Sequence, residues 1–161
     1  MSLRAELQAF LGGPEGRRVV LVGIGSPIRH DDVVGLKVLE FLEGKTPKSV
    51  LLLPTETVPE SYTGAIRDFQ PTHVLLLDAA NFNGRPGEGR IIPPKAIANT
   101  SVSTHSLPLH IFIDYVKKSI CGNVTLIGIQ GVNIDLGEGL TLEVEKGAAE
   151  IANILLDLFR E

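Results

Sequence analysis

Val19-Val20-Leu21-Val22-Gly23-Ile24-Gly25-Ser26-Pro27-Ile28-Arg29-His30-Asp31-Asp32-Val33-Val34-Gly35 reads as a strand, a tight turn and the opening of a helix. The apolar, β-branched run has no alternation, which predicts a strand buried on both faces, as in a parallel sheet. Gly23 and Gly25 loosen the backbone, Pro27 fixes a turn, and Asp31 and Asp32 arrive where a helical pattern begins. A carboxylate at a helix start accepts the unpaired amides there. One is enough for that task. The second lies at the carboxyl end of a strand, where open α/β sheets hold their ligands.

Working outward, Ser2 to Leu11 predicts a short helix stopped by Gly12-Gly13-Pro14. The first core strand spans about Arg18 to Ile24. A helix from near Asp32 to Glu43 follows, with Val34, Val38, Leu39 and Leu42 as its buried stripe. Ser49 to Leu53 is a second strand, ended by Pro54. Thr57-Val58-Pro59-Glu60 has the form of a capping box before a helix carrying Tyr62, Ile66 and Phe69. His73 to Leu77 is a third buried strand ending in Asp78-Ala79-Ala80, and Asn81 to Gly89 is a loop. Arg90 to Ile92 predicts a short edge strand closed by Pro93-Pro94.

After Ile97 to Val102, Ser106 is a candidate cap for a helix with Leu107, Ile111 and Tyr115 on one side. Asn123 to Gln130 is the last core strand and Gly131 to Gly139 a loop. Thr141 then caps a final helix bearing Val144, Ala148, Ile151, Leu155 and Leu158. Alternating strands and helices predict an α/β fold. The expected form is a single-domain three-layer sandwich over residues 1–161, with residues 1–14 as an N-terminal helical extension. Its sheet is twisted and mostly parallel, with helices on both faces and one antiparallel edge strand.

The composition narrows the function. With 161 residues, 43% hydrophobic and 21% charged, the chain is an ordinary globular protein. A net charge of −4 leaves no electrostatic footprint for nucleic acid or an anionic membrane. The single cysteine, Cys121, excludes an internal disulfide and a cysteine zinc cluster and reads as structural. No apolar run approaches a membrane span and the N-terminus lacks a secretion pattern, so a cytoplasmic address is the default expectation.

Three places bring polar groups to strand-to-helix turns: Asp31-Asp32, Asp78, and His105 ahead of a helix. Should the strands be neighbours, two carboxylates and an imidazole would share one rim and make a hard-to-borderline metal site with open positions. Each residue also has a structural reading, as a helix cap, a loop acceptor or a backbone donor. Gly23-Ile24-Gly25 hints at dinucleotide binding, but Ile28 occupies the place of the third glycine. There is no His-Glu-x-x-His run and no Gly-x-Ser-x-Gly turn.

Together these motifs resemble the hydrogenase maturation endopeptidases, which remove a C-terminal extension from the large subunit of nickel-iron hydrogenases. Residues 23–35 are similar to that family's Gly-x-Gly-Asn opening, with its Asp-(Asp/Glu) pair before a glycine. Leu75-Leu76-Leu77-Asp78-Ala79 resembles its apolar strand ending in Asp-Ala, and Pro86-Gly87-Glu88 its Pro-Gly turn. Ser103-Thr104-His105-Ser106-Leu107-Pro108-Leu109 resembles its Thr-His-x-(Leu/Met)-Pro-Leu segment, and Gly128-Ile129-Gln130 fits the last strand. The similarity is greatest to the hydrogenase 3-type group.

The resemblance implies that Asp32, Asp78 and His105 form the catalytic, metal-contacting set, with Asp31 a supporting or capping carboxylate. It implies that the metal is nickel carried by the precursor, with cadmium or zinc able to occupy the site in vitro, in an aspartic-type or metal-assisted peptidase. The partner is then the hydrogenase large-subunit precursor, and a monomer is favoured. Two departures stand out. Ser26 replaces the family's asparagine, and Pro54-Thr55-Glu56-Thr57 replaces its Asp-Gly-Gly-(Ser/Thr), which makes Glu56 and Thr57 the substrate-contacting positions. The alternatives from other classes are a non-cleaving factor that binds the nickel-loaded precursor, and a nucleotide-binding α/β protein.

Overall fold

A computed structural model describes residues 1–100 and 107–160. Helix α1 (Leu3–Leu11) is capped by Ser2, whose hydroxyl accepts the Ala5 amide at 3.1 Å. Strand β1 (Val19–Ile24) is buried throughout, as its unbroken apolar run requires. A 3-10 turn (His30–Val33) leads into α2 (Val34–Leu42), and β2 (Val50–Glu56) follows. A second 3-10 turn (Pro59–Tyr62) precedes α3 (Thr63–Phe69), which gives way to β3 (His73–Ala80) and β4 (Gly89–Ile91). The remaining elements are α4 (Ile97–Thr100), α5 (Leu109–Ser119), β5 (Val124–Gln130) and α6 (Leu142–Phe159).

The five strands lie in the order β2-β1-β3-β5-β4, all parallel except β4, which runs antiparallel to β5. Alternate strand residues feed two cores. Leu21, Leu75, Leu77 and Ile127 pack with α1, α2 and α6 on one face. Val20, Val22, Val74 and Leu76 pack with Ile66 of α3 and with Leu109, Phe112 and Val116 of α5 on the other. Helix α1 belongs to this framework, since Leu7 and Leu11 are buried in the first core. No described helix is long and apolar enough to cross a membrane.

The chain reverses direction between β1 and β3. From β1 it passes through α2 to β2 on one side, then returns through α3 to pair as β3 on the other. Such a reversal opens a crevice outside the carboxyl ends of the two central strands.

Several local expectations are corrected. β2 continues through Pro54 to Glu56, which an edge strand tolerates because one side of its ladder is unpaired. The register slips beside Gly23, and buried Thr55 turns its hydroxyl to the Gly23 carbonyl at 3.0 Å. The Thr57 capping box does not form. Pro59 starts a tight 3-10 turn whose cap is Val58, without side-chain capping. Helix α5 buries Leu109, Phe112, Ile113 and Val116, whereas Ile111 and Tyr115 are exposed. Thr141 precedes α6 but makes no side-chain cap; its hydroxyl is committed to Asp31. The proposed Ser106 cap lies outside the described residues.

Candidate active site

Two close backbone approaches place the turn after β1. A Cβ on Gly25 (φ +150°) would lie 1.9 Å from the Asp32 carbonyl oxygen, so only glycine lets the 30–33 turn fold back onto the strand end. A Cβ on Gly35 would lie 2.2 Å from the Leu77 carbonyl oxygen and 2.6 Å from that of Ile24. The first turn of α2 therefore rests directly across the ends of β1 and β3, and the 30–33 turn packs against β3.

Asp32 is carried into the reversal crevice by this packing. Its side chain is buried, and Oδ2 accepts the Ser26 amide at 3.0 Å. Asp78 comes to the same crevice from β3, one residue past the Gly23–Leu77 pair. It too is buried, with Oδ1 accepting the Ala79 amide at 2.9 Å. Strand alternation puts Asp78 on the side of Val74 and Leu76, the face that α5 covers. Among the described residues no three His, Cys, Asp or Glu side chains form a group that could hold a metal ion. The third expected member, His105, lies outside the described residues. Carboxylate oxygens are hard donors of the kind that hold divalent ions.

Asp31 does something else. It is fully buried, and four donors fill its carboxylate. Oδ2 accepts the Val132 and Asn133 amides, each at 2.9 Å, and the Thr141 hydroxyl at 2.8 Å; Oδ1 accepts the Thr141 amide at 2.7 Å. Burial by itself would push this carboxyl up. The bonds from Asn133, Thr141 and Val132 outweigh it and leave the pKa below the usual carboxylate value. The main chain completes the attachment. Asp31 N donates to Asn133 O at 2.8 Å, His30 N to Gly137 O at 3.0 Å and Gly137 N to Ile28 O at 2.9 Å. His30 Nδ1 lies 3.0 Å from Gly139 O. The loop after β5 thus reaches across the end of β3 and is clasped to the turn after β1.

Glu56, at the end of β2, is exposed and held at φ +52°. Its carbonyl accepts the Gly25 amide at 2.9 Å, next to the Ser26 amide that binds Asp32. It forms one end of a groove of 380 Å³ between α2 and β2, lined also by Leu36, Leu39, Leu52, Glu40 and Glu43. Thr57 follows, half-buried. Cys121 is half-buried; burial raises its thiol pKa against a weaker opposing bond from Asn123, so it is a poor nucleophile.

Sequence reasoning missed the loop's anchors and Gln130. This buried side chain ends β5, and its Oε1 accepts the amides of Phe82 (2.9 Å) and Gly84 (3.1 Å) in the loop that follows β3. A lone polar residue closing the apolar run Leu126 to Ile129 was the available signal, the same one that marked Asp78.

A five-stranded, mostly parallel sheet that reverses between β1 and β3, with helices on both faces, defines the class: a doubly wound α/β protein. Residues 36–158 match the model of the HycI hydrogenase maturation proteases, and the chain belongs to that family. It is 33% identical over 153 residues, 90% of each chain, to a Methanocaldococcus jannaschii protein assigned to the hydrogenase maturation proteases. It is 35% identical over 112 residues to the hydrogenase 3 maturation protease of Escherichia coli K12, covering 69% of this chain and 71% of that one. The crystal structure of the HycI nickel-iron hydrogenase maturation protease from Thermococcus kodakarensis KOD1 superposes with a TM-score of 0.85 at 34% identity. That superposition covers 97% of this chain and 99% of the other.

Proposed function

We propose that this chain is an endopeptidase that removes the C-terminal extension of a nickel-loaded hydrogenase large-subunit precursor. Asp32, Asp78 and His105 contact the nickel that the precursor brings. The observation that carries the reading is the pair of buried carboxylates at one crevice of a chain from this family. His105 stands four residues ahead of α5, the helix covering the face to which Asp78 belongs. Glu56 and Thr57 contact the arriving substrate segment.

Nickel at this place supplies a Lewis acid beside the scissile carbonyl or an acidified water. The protein's own part is positional. The Ser26 amide orients the Asp32 carboxylate, and the Ala79 amide orients that of Asp78. Two carboxylates set in advance at the crevice lower the ordering cost of engaging a precursor that carries the ion. Asp31, with four donors already on its oxygens, is a positioning residue and not a metal contact.

Asp32→Asn, Asp78→Asn and His105→Ala should each slow trimming of nickel-loaded precursor by about a hundredfold or more, with unchanged melting temperature. Mass spectrometry of the precursor's C-terminus is the readout. Trimming at the normal rate by all three variants overturns the site. A stable complex without mass loss from the wild type replaces the protease with a non-cleaving factor. Stoichiometric zinc in the purified protein moves the metal from precursor to peptidase.

A further inference from the structure

The outer edge of β2 keeps main-chain groups that the sheet does not use. Val19 N donates to Ser49 O at 2.8 Å, which fixes the parity of the strand. Ser49, Leu51 and Leu53 turn their main-chain groups to β1, while Val50, Leu52 and Pro54 turn theirs outward. No strand of the sheet lies beyond β2. Val50 N donates to Pro47 O at 3.0 Å, and proline has no N–H, so the donor this edge offers is that of Leu52. Beside the edge runs the groove between α2 and β2. Leu36, Leu39 and Leu52 give it apolar walls, and the exposed carboxylates of Glu40, Glu43 and Glu56 border it. No described lysine or arginine lines it. Lys37, 3.5 Å from Glu40, offsets one of the three charges.

We infer that the precursor's C-terminal extension binds here as an added strand, antiparallel to β2, with an apolar side chain against Leu36 and Leu52 and basic side chains at Glu43 and Glu56. The inference rests on the function proposed above. Three features select this occupant. First, an unpaired edge recognises extended chain through its main chain, and a groove beside it reads alternate side chains. Second, the carboxylates favour a basic segment and oppose a second copy of this chain, which would meet them with like charge. Third, the edge leads to the proposed site. β1, β2 and β3 are parallel, so Glu56 lies at the same end of the sheet as Asp78 and the turn bearing Asp32. The Glu56 carbonyl accepts the Gly25 amide, next to the Ser26 amide that binds Asp32. An extension cut at that end lies on the C-terminal side of the cut and runs back along β2 toward Val50. A strand added beyond β2 stands two spacings of about 4.8 Å from β1, so about three extended residues separate the cut from the ladder.

The test compares wild type with the double variant Glu40→Lys/Glu43→Lys and with Leu52→Pro on a nickel-loaded nickel-iron hydrogenase large-subunit precursor that retains its extension. Leu52→Ala is the control for Leu52→Pro, since it shortens the side chain and keeps the N–H. Proline at an outward-facing edge position breaks no bond to β1, and circular dichroism with thermal melting verifies the fold. The charge variant should raise KM about tenfold or more, and Leu52→Pro should do the same relative to Leu52→Ala. In both, kcat stays within about twofold of wild type. Unchanged KM in the charge variant, with wild type still trimming, overturns the inference and leaves the proposed function standing. A folded Leu52→Pro that matches Leu52→Ala overturns the added strand in the same way; should it not fold, the charge variant decides alone. A wild type that does not trim the precursor removes the proposed function and this inference with it. Sedimentation supplies a separate arm: a wild-type dimer that Leu52→Pro abolishes assigns the edge to a second copy and overturns the proposal.

Discussion

Asp31 and Thr141 are joined twice, the Thr141 amide to Oδ1 at 2.7 Å and the Thr141 hydroxyl to Oδ2 at 2.8 Å. This double bond pair spans 110 positions of sequence and fixes the loop after β5 to the turn that presents Asp32. Hydrogen bonds to a buried carboxylate are the strong ones, and breaking them leaves donors without an acceptor. Asp31→Asn should therefore destabilise the fold by about 2–4 kcal/mol. Thr141→Val should cost about 1–2 kcal/mol, and Thr141→Ser, which keeps the hydroxyl, much less. Urea unfolding at neutral pH measures all three. A Thr141→Ser loss equal to that of Thr141→Val would show that the hydroxyl is not what matters.

The same carboxylate gives a pH dependence with a definite sign. Burial works to raise its pKa, but the bonds from Asn133, Thr141 and Val132 prevail and the folded value is lowered. A depressed carboxyl contributes stability that is complete above the unfolded value, about 3.9, and is lost as pH falls through the folded value. The stability gap between wild type and Asp31→Asn should accordingly be full at pH 7 and narrow below about pH 4. Urea midpoints at several pH values test it. A gap that stays constant to pH 2 contradicts the assignment.

Gly25 is where the turn touches its own strand. Gly25→Ala would put a methyl 1.9 Å from the Asp32 carbonyl oxygen, in a backbone region that disfavours side chains. The 30–33 turn has to lift, at a cost of about 3 kcal/mol or more. We expect lower stability together with lost trimming, because Asp32 moves with the turn. Gly64→Ala serves as the control, since no heavy atom lies within 4 Å of the added group. Thermal melting and the trimming assay on both variants decide it.

Glu56 has φ +52°, a conformation costing a non-glycine residue about 1–2 kcal/mol. Glu56→Gly relieves that cost and gives back part of it through the greater freedom of the unfolded chain. A net gain of about 0.5 kcal/mol is expected. On the proposed function, in which Glu56 meets the substrate segment, its change should appear in KM and leave kcat near wild type. A large drop in kcat would instead put Glu56 among the groups that act on the reacting bond.

The framework was legible because burial on both faces writes an unmistakable pattern. Val19 to Ile24 could only be a central strand, and Val34, Val38, Leu39 and Leu42 fall on one helical stripe and are all buried. Asp32 stands out in the sequence as a second carboxylate at a helix start and Asp78 as a charge closing an apolar run, and both are buried. What failed was local chemistry that depends on distant partners. Thr141 has the position of a cap, yet its hydroxyl serves a carboxylate from the other end of the chain. In α5, Ile111 and Tyr115 share a spacing as regular as the buried set's, and only the sheet's position decides which set turns inward. Instead of packing inside, they line a shallow groove with Glu60, Thr63 and Leu107. Pro54 looked like a strand end because nothing in the sequence says that β2 lies at an edge.

The long span between Asp31 and its anchors sets an order of events during synthesis. Both central strands, with Asp32 and Asp78, leave the ribosome while Val132, Asn133 and Thr141 have yet to be translated. The turn bearing Asp32 thus has no clasp until the final helix is being made. A nascent chain should therefore acquire a fastened Asp32 turn only near completion.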